Sequence, residues 1–217
     1  MSRILDAKYE KEDLKKVMIE NVRTCPKKEC ERLITLLRRF EDLFGGTLGT
    51  CNTTPLYLEL RYAVKPVCSG PYIILRVHES MFKKEVKILV ILGVLGYAND
   101  SKWGALSFAQ PNPKTNRALF LNDLRNLNRQ LKRKTYPIPK IREMLLKLEG
   151  FKNATQLDLN MGYYNIRLRE EASNLCTIIL PWEKYRYKCL TMGVINLPEI
   201  FQEKMNKMFH GFEFIWA

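Results

Sequence analysis

The stretch QLDLNMGYYNIRL, residues 156–168, places one aspartate in an otherwise apolar run with the alternation of a β-strand. Successive side chains of a strand point to opposite faces. A strand over residues 154–160 would therefore turn Asp158 away from the side that carries Leu157 and Leu159. We expect this carboxylate to project into a cleft.

The composition is that of a globular, basic chain. Of 217 residues, 46% are hydrophobic, enough to bury a core in one large or two small units. Lys and Arg number 36 against 23 Asp and Glu, a formal net charge of +13. A surplus of this size favours a polyanionic partner, with nucleic acid first among them.

The sequence shows no pattern typical of a membrane-spanning segment or of a secretory signal. No run approaches the roughly 20 apolar residues that span a bilayer, and residues 1–16 lack the apolar middle of a secretory signal. The six cysteines have no paired spacing, so reduced thiols are favoured over a disulfide framework. We expect an intracellular protein, cytoplasmic or nuclear, with no membrane partner.

Hydrophobic periodicity predicts helices mixed with short strands, an α+β pattern. The predicted helices cover residues 8–24, 26–44, 140–150 and 198–209, and one more starts near Ser80 with Phe82, Val86 and Leu89 facing inward. In the last helix, Phe201, Met205, Met208 and Phe212 have helical spacing. The predicted strands, besides residues 154–160, cover residues 56–61, 106–110, 117–121, 164–168, 176–180, 184–188 and 212–217.

A basic stretch, RQLKRKTYPIPKIR, occupies residues 129–142. Its two prolines stiffen the backbone, so the charges lie on a braced segment. Contact with a nucleic-acid backbone and a plain solvated surface are both open explanations of these charges.

Four separate blocks now occur in an order that resembles the reverse transcriptase of gypsy-type long-terminal-repeat retrotransposons. They are RFEDLFGGTLGT (39–50), NDLRNLNRQLKRKTYPIPKI (122–141), LEGFKNATQLDLNMGYYNIRL (148–168) and PWEKYRYKCLTMGVINLPEIFQEKM (181–205). In the second block, Arg125 and Asn128 hold places typical of that family. Four ordered blocks are much more specific than a lone aspartate on a strand.

The resemblance implies a right-hand polymerase fold of the α+β class. Residues 1–62 would form a helical N-terminal segment and linker, and residues 63–217 the reverse transcriptase domain. Within that domain, fingers would cover about 63–133 and 167–196, with an incomplete palm at about 134–166 and 197–217. The implied activity is RNA-directed DNA polymerisation, with an RNA or DNA template–primer and deoxynucleotides as partners.

The resemblance also implies the site. Polymerases use two Mg²⁺ ions about 4 Å apart, and such hard cations need oxygen ligands. Asp158 would be the catalytic, metal-binding carboxylate, and Leu159 would add a backbone carbonyl. The implied nucleotide-binding residues are Met161, Gly162, Tyr163, Met192, Gly193 and Arg117. The implied nucleic-acid-binding residues are Arg125, Lys132, Arg133 and Lys134.

Plainer explanations exist for several of these residues. Tyr163, implied to pack under the sugar, is also compatible with an ordinary strand tyrosine. Met192 and Gly193 are compatible with a simple loop before a helix. Arg117 stands two residues before Leu119, where the family has the arginine that grips the triphosphate, and by alternation it could share that face.

The departures from the family pattern concern the metal site most. The family adds a Tyr-x-Asp-Asp hairpin after the strand that residues 212–217 resemble, whereas the sequence ends at Ala217. Changes such as Thr191 for a proline and Leu197 for a serine indicate relaxed constraint. We therefore expect a truncated reverse transcriptase, inactive alone and marginally stable. The alternatives are a non-enzymatic, basic nucleic-acid-binding fragment and a pseudogene product.

Overall fold

The computed structural model describes residues 11, 13, 14, 16, 26–49, 51–112, 117–147, 150, 154–213 and 215. The predicted helix over residues 8–24 lies almost wholly outside them. The chain divides into two compact units, one made of Met1–Gly49 and Leu145–Gly162, the other of Thr50–Met144 and Tyr163–Ala217. Among the described residues, no helix combines the length and apolarity that crossing a membrane requires.

The first unit contains helix α1, Lys27–Arg38, followed by a 3₁₀ turn at Glu41–Phe44. Pro26 precedes the first turn, as the sequence predicts, because proline has the backbone angle of a helix start and needs no donor there. The helix ends earlier than the predicted residue 44, since Phe40 adopts a non-helical backbone.

The predicted strand over residues 154–160 is wrong, because residues 154–159 have no regular secondary structure. A strand exists only where a ladder partner supplies hydrogen bonds, and no described residue pairs with this segment. Leu157 and Leu159 are 66% and 52% exposed, so alternation here does not mark a buried face.

The second unit is built on a five-stranded sheet with the order β1-β5-β4-β2-β3. The strands are β1 (Leu95–Tyr97), β2 (Ala105–Asn112), β3 (Arg117–Asp123), β4 (Thr177–Ile179) and β5 (Lys184–Tyr187). All neighbours are antiparallel except β2 and β4, which run parallel. The strands predicted at 106–110, 117–121, 176–180 and 184–188 are thus confirmed, and with them the α+β class.

Helix α2, Arg76–Ile91, packs on this sheet through its predicted inward residues. Phe82, Val86 and Leu89 are all buried. The helix starts before the predicted Ser80, because Leu75 already has the extended backbone of a cap residue and nothing in the next four residues breaks a helix.

Four further α-helices occur among the described residues: α3 (Arg125–Gln130), α4 (Ile141–Lys147), α5 (Glu170–Leu175) and α6 (Leu197–Met208). Helix α6 occupies the predicted place with a rotated inward face. Leu197, Ile200 and Met205 are buried, whereas Met208 and Phe212 are exposed. Spacing alone identified the helix but not which of its sides packs.

Three other predicted strands differ from the structure. Residues 164–168 contain the end of a 3₁₀ helix, Gly162–Asn165, and then two isolated bridges, Leu168 to Leu56 and Arg167 to Cys189. Residues 56–61 likewise contribute only isolated bridges, at Leu56 and Leu60. Of residues 212–217, the described ones are not in a strand and the rest lie outside the described residues.

Candidate nucleotide and nucleic-acid site

Asp158 lies in the first unit, on an exposed segment without regular structure. The carbonyl of Leu159, its predicted partner at a metal, accepts a hydrogen bond from the Gly162 amide at 3.2 Å. A carbonyl oxygen has two lone pairs, so this bond leaves one available. The Gly162 amide, in contrast, is used by the turn, and its predicted role toward a triphosphate would require that turn to open.

Met161 has a left-handed backbone, with φ at 51°. This conformation is uncommon for residues other than glycine and is often found where function requires a sharp change in chain direction. It allows the tight turn between Leu159 and Gly162 that follows the aspartate.

Tyr163 belongs to the second unit and lies in the 3₁₀ helix rather than in a strand. Its ring meets the ring of Phe201 on α6 edge to face, with centroids 4.9 Å apart and planes at 77°. Aromatic pairs favour this arrangement because the positive edge of one ring faces the negative face of the other. The ring of Tyr163 is therefore held by packing.

The turn at Met192 and Gly193 is fixed by the side chain of Asn128. The Asn128 amide nitrogen donates to the Gly193 carbonyl at 2.7 Å, and its oxygen accepts from the Ile195 amide at 2.9 Å. Gly193 has φ at 94°, a region that glycine alone enters at low cost. Met192 remains exposed beside this clamped backbone.

A buried polar network lies next to the turn. The Tyr187 hydroxyl accepts a hydrogen bond from the Asn122 amide at 2.8 Å, and Asn122 accepts one from the Ser107 hydroxyl at 2.8 Å. Burial raises the pKa of Tyr187 well above its ordinary value, with Tyr164 and Thr191 as further hydroxyl neighbours. The phenol therefore stays protonated, and its neighbour Thr191 is the residue directly before Met192.

Arg117 begins β3, where its backbone pairs with Asn112. The second unit thus contains Tyr163, Met192, Gly193 and Arg117, and the first contains Asp158, Leu159, Met161 and Gly162. Among these, the structure shows contacts that fix the 159–162 turn, the Tyr163 ring and the 192–193 turn, each separately.

Arg125, predicted to bind nucleic acid, is engaged by its neighbour Asp123. Its Nε and Nη2 atoms donate to the two carboxylate oxygens at 2.8 and 2.6 Å. This bidentate hydrogen bonding lowers the pKa of Asp123 to about 2. The guanidinium is itself largely exposed, so its outer side remains accessible.

The low pKa of Asp123 predicts a pH effect of defined sign. A carboxyl whose pKa is lower in the folded state than in the unfolded state stabilises the fold at pH values above its unfolded pKa. This stabilisation is lost as the pH falls from the unfolded pKa to the folded pKa, here from about 4 to about 2. In that pH window we expect the Tm of Asp123→Asn to fall less steeply with decreasing pH than the Tm of the unmodified chain. The difference in the free energy of unfolding is expected to be less than about 1 kcal/mol, because the pair is exposed. Asp100→Asn, on an exposed turn, is the control, and an equally steep limb in Asp123→Asn would contradict the expectation.

The three adjacent cations of the basic stretch each have a carboxylate partner. Lys132 pairs with Glu59, Arg133 with Glu199 at 2.6 Å, and Lys134 with Glu203. The latter two carboxylates both lie on α6. The prediction that these cations bind nucleic acid therefore concerns side chains already engaged in intramolecular ion pairs.

Two asparagines of α6 and its cap extend these pairs into a ladder along residues 132–136. Asn196 donates to the Lys132 carbonyl at 2.7 Å and accepts from the Lys134 amide at 3.1 Å. Asn206 donates to the Tyr136 hydroxyl at 3.1 Å. Positions 196, 199, 203 and 206 lie on one helical face. The spacing of these acids and amides is visible in the sequence, but it does not indicate that residues 132–136 are their partners.

The described residues do not by themselves fit a magnesium site. Across the ranges that the structure covers, no three His, Cys, Asp or Glu side chains cluster as metal ligands would. One carboxylate and one carbonyl cannot balance a pair of divalent cations.

No protein-family model matches the chain. In sequence it is similar to the retrovirus-related Pol polyprotein from transposon 297 of Drosophila melanogaster, with 26% identity over 93% of the chain and 20% of the polyprotein. It is also 29% identical to the Pol polyprotein from transposon gypsy of the same organism, over 65% of the chain and 14% of that protein. The chain thus spans a fifth or less of these relatives.

Solved structures show the same relationship at the level of the fold. A foamy viral protease-reverse transcriptase in complex with double-stranded DNA matches 100% of the chain and 38% of its own, with a TM-score of 0.79 and 17% identity. The same enzyme in complex with an RNA/DNA hybrid matches 100% of the chain and 29% of its own, with a TM-score of 0.77 and 16% identity. The chain is therefore similar in sequence to part of retrotransposon Pol polyproteins and similar in fold to part of foamy viral protease-reverse transcriptases.

Proposed function

We propose that the chain is the fingers and part of the palm of a reverse transcriptase, an RNA-directed DNA polymerase of gypsy-type retrotransposon origin. The observation that carries this proposal is the coincidence of four ordered sequence blocks with a fold shared over the whole chain. We assign residues 63–133 and 167–196 to the fingers and residues 134–166 and 197–217 to the palm, behind an N-terminal segment of residues 1–62.

We assign nucleotide-binding roles to residues of each unit separately. Asp158 supplies the catalytic carboxylate, while backbone near Met161 and Gly162 faces the triphosphate, with Arg117 as a further cation. We assign Tyr163 a place under the sugar, and Met192 and Gly193 places in the lining of the nucleotide pocket. The Asn128 clamp on Gly193 supports the role of this residue because it fixes the backbone in a defined conformation. The Gly162 amide would first have to leave the Leu159 carbonyl.

Magnesium chemistry requires more carboxylates than the described residues provide. Asp158 and the Leu159 carbonyl are the ligands that this chain would contribute. We derive no catalytic step through the metal, and a polypeptide of these 217 residues is expected to be inactive as a polymerase.

Primer extension tests the inactivity directly. The purified 217-residue polypeptide, a primed RNA template, deoxynucleotides and Mg²⁺ are expected to give no extended primer, with Asp158→Asn as the matched control. Extension by the unmodified polypeptide that disappears in Asp158→Asn would contradict the expected inactivity and would identify Asp158 as catalytic.

Binding tests the proposed partner. We expect the polypeptide to bind an RNA–DNA hybrid with an affinity that falls steeply with salt, because each neutralised phosphate releases condensed counterions. Fluorescence anisotropy of a labelled hybrid between 50 and 200 mM salt, about the range over which such losses are large, gives the slope. An affinity indifferent to salt would rule out the proposed template contact.

A non-enzymatic nucleic-acid-binding role is the second candidate, favoured by the net charge of +13. It predicts equal binding to the hybrid, to double-stranded DNA and to heparin at matched charge. A preference for the primed hybrid over heparin favours the polymerase-derived site, so the same titration separates the two candidates.

A further inference from the structure

The three carboxylates that engage Lys132, Arg133 and Lys134 differ in burial. Glu59 keeps 60% of its side-chain surface exposed, whereas Glu199 keeps 9% and Glu203 keeps 16%. An ion pair over an exposed carboxylate separates at little cost, but one over a buried carboxylate does not. The three adjacent cations therefore differ in the cost of separating each from its carboxylate partner.

Arg133 is the least free of the three. It donates to the Glu199 carboxylate at 2.6 Å and to the Ile195 carbonyl at 3.2 Å. The second oxygen of Glu199 is buried and has no hydrogen-bond partner among the residues that the structure describes. If Arg133 moved to a phosphate, the buried carboxylate would lose its cation, and an unpaired buried charge is strongly destabilising.

Lys134 differs because Glu203 has a second cation. Lys207, one turn further along α6, reaches the other oxygen of Glu203 at 2.6 Å. Hydrogen bonds from Lys134 and Lys207 together lower the pKa of this carboxyl. When Lys134 leaves, Lys207 remains, so Glu203 stays paired.

Lys132 is released for another reason. Its partner Glu59 is mostly exposed, so water replaces the ammonium group when the pair opens. The Lys132 backbone remains fixed through its amide, which donates to the Glu59 carbonyl at 2.8 Å, and through its carbonyl, which accepts from Asn196. The side chain can thus exchange partners while the segment keeps its place.

We propose that Lys132 and Lys134 exchange their carboxylates for nucleic-acid phosphates, whereas Arg133 stays on Glu199 as a structural brace between residues 132–134 and α6. This division rests on the proposed binding of nucleic acid and assigns that binding to two of three adjacent cations. Glu59 and Glu203 hold the two lysines in place until a phosphate competes for them.

Salt-dependent binding to an RNA–DNA hybrid tests the division. We expect Lys132→Ala and Lys134→Ala each to reduce the slope of log affinity against log salt by about 0.9, the contribution of one phosphate contact, without a change in Tm. Arg133→Ala is expected to lower Tm by roughly 6 °C or more, because it leaves Glu199 unpaired.

A paired replacement keeps the test decisive if Arg133→Ala fails to fold. Arg133→Met with Glu199→Leu removes both charges, so that no buried carboxylate is left unpaired beside the half-exposed position 133. This double variant is expected to keep the wild-type Tm and slope. Lys83→Ala, which removes one lysine from an ion pair on α2, is the control and is expected to leave the slope unchanged.

The outcomes separate the two proposals. The division between the two lysines and Arg133 is overturned if the slope of log affinity against log salt falls by about 0.9 in the Arg133→Met, Glu199→Leu chain and does not change in the lysine variants. The proposed binding of nucleic acid would then still stand. A wild-type chain without salt-dependent binding overturns both.

Discussion

Phe82→Ala is expected to lower the free energy of unfolding by about 3–5 kcal/mol, the range for truncating a buried aromatic. The side chain is 0% exposed. Its ring lies 4.9 Å from the ring of Phe120 on β3 and 5.9 Å from that of Trp182, to which it is nearly perpendicular. Alanine would leave a cavity between α2 and the sheet and remove both ring contacts.

Thermal and urea denaturation measure this loss. For a chain of this length, each kcal/mol corresponds to roughly 2–4 °C in Tm. Phe212→Ala is the matched control, because the Phe212 side chain is exposed, and we expect it to change stability by less than about 0.5 kcal/mol. Equal losses in the two variants would mean that α2 does not pack on the sheet as the structure has it.

Tyr187→Phe is expected to cost about 1–3 kcal/mol, although it removes a single oxygen atom. The hydroxyl accepts the Asn122 amide hydrogen bond at 2.8 Å in a site with no access to solvent. Without it, the part-buried Asn122 amide loses this partner, and an amide donor left unsatisfied away from water destabilises the fold.

A double-mutant cycle isolates this interaction. In a chain that already carries Asn122→Leu, the additional Tyr187→Phe change is expected to cost less, because the Asn122 donor is no longer there to be left unsatisfied. Tyr62→Phe, on a tyrosine that is almost fully exposed, controls for loss of a hydroxyl alone. Additive losses across the cycle would exclude the Asn122 to Tyr187 bond.

Local pattern predicted much of the sheet and of the helix that covers it. The run Phe82, Val86, Leu89 has helical spacing, and all three side chains are buried in α2. Each of the strands β2 to β5 contains an aromatic or a β-branched residue, and each pairs with a neighbour in the sheet. The spacing of apolar residues predicted these elements because burial and secondary structure have the same cause, the packing of one apolar face.

The same reasoning failed at residues 154–160, where alternation is present and a partner is not. A strand is defined by hydrogen bonds to a neighbour, which a single sequence cannot supply. The prediction that Asp158 lies on a strand was therefore wrong in its structural premise, while its role at a metal stays a prediction.

Polar contacts between residues distant in the chain were also not predicted from the sequence. The Asn128 clamp on Gly193 and the ladder from residues 132–136 to α6 join positions more distant in the chain than any periodicity can reach. The sequence predicted a basic stretch stiffened by its two prolines, and that stays a prediction. The structure shows that residues 132–136 are held by side chains of α6 and of its cap residue, which the sequence did not reveal.

The central strand of the sheet, β4, is supplied late in the chain. During synthesis from the N-terminus, the β2–β3 hairpin is complete while the parallel partner of β2 is still unmade. An unpaired edge templates association with other chains, and pairings between distant segments form slowly because loop closure comes first. The nascent chain thus passes through an interval of exposure to aggregation, and its soluble yield depends on translation rate and chaperone supply as well as on the stability of the finished fold.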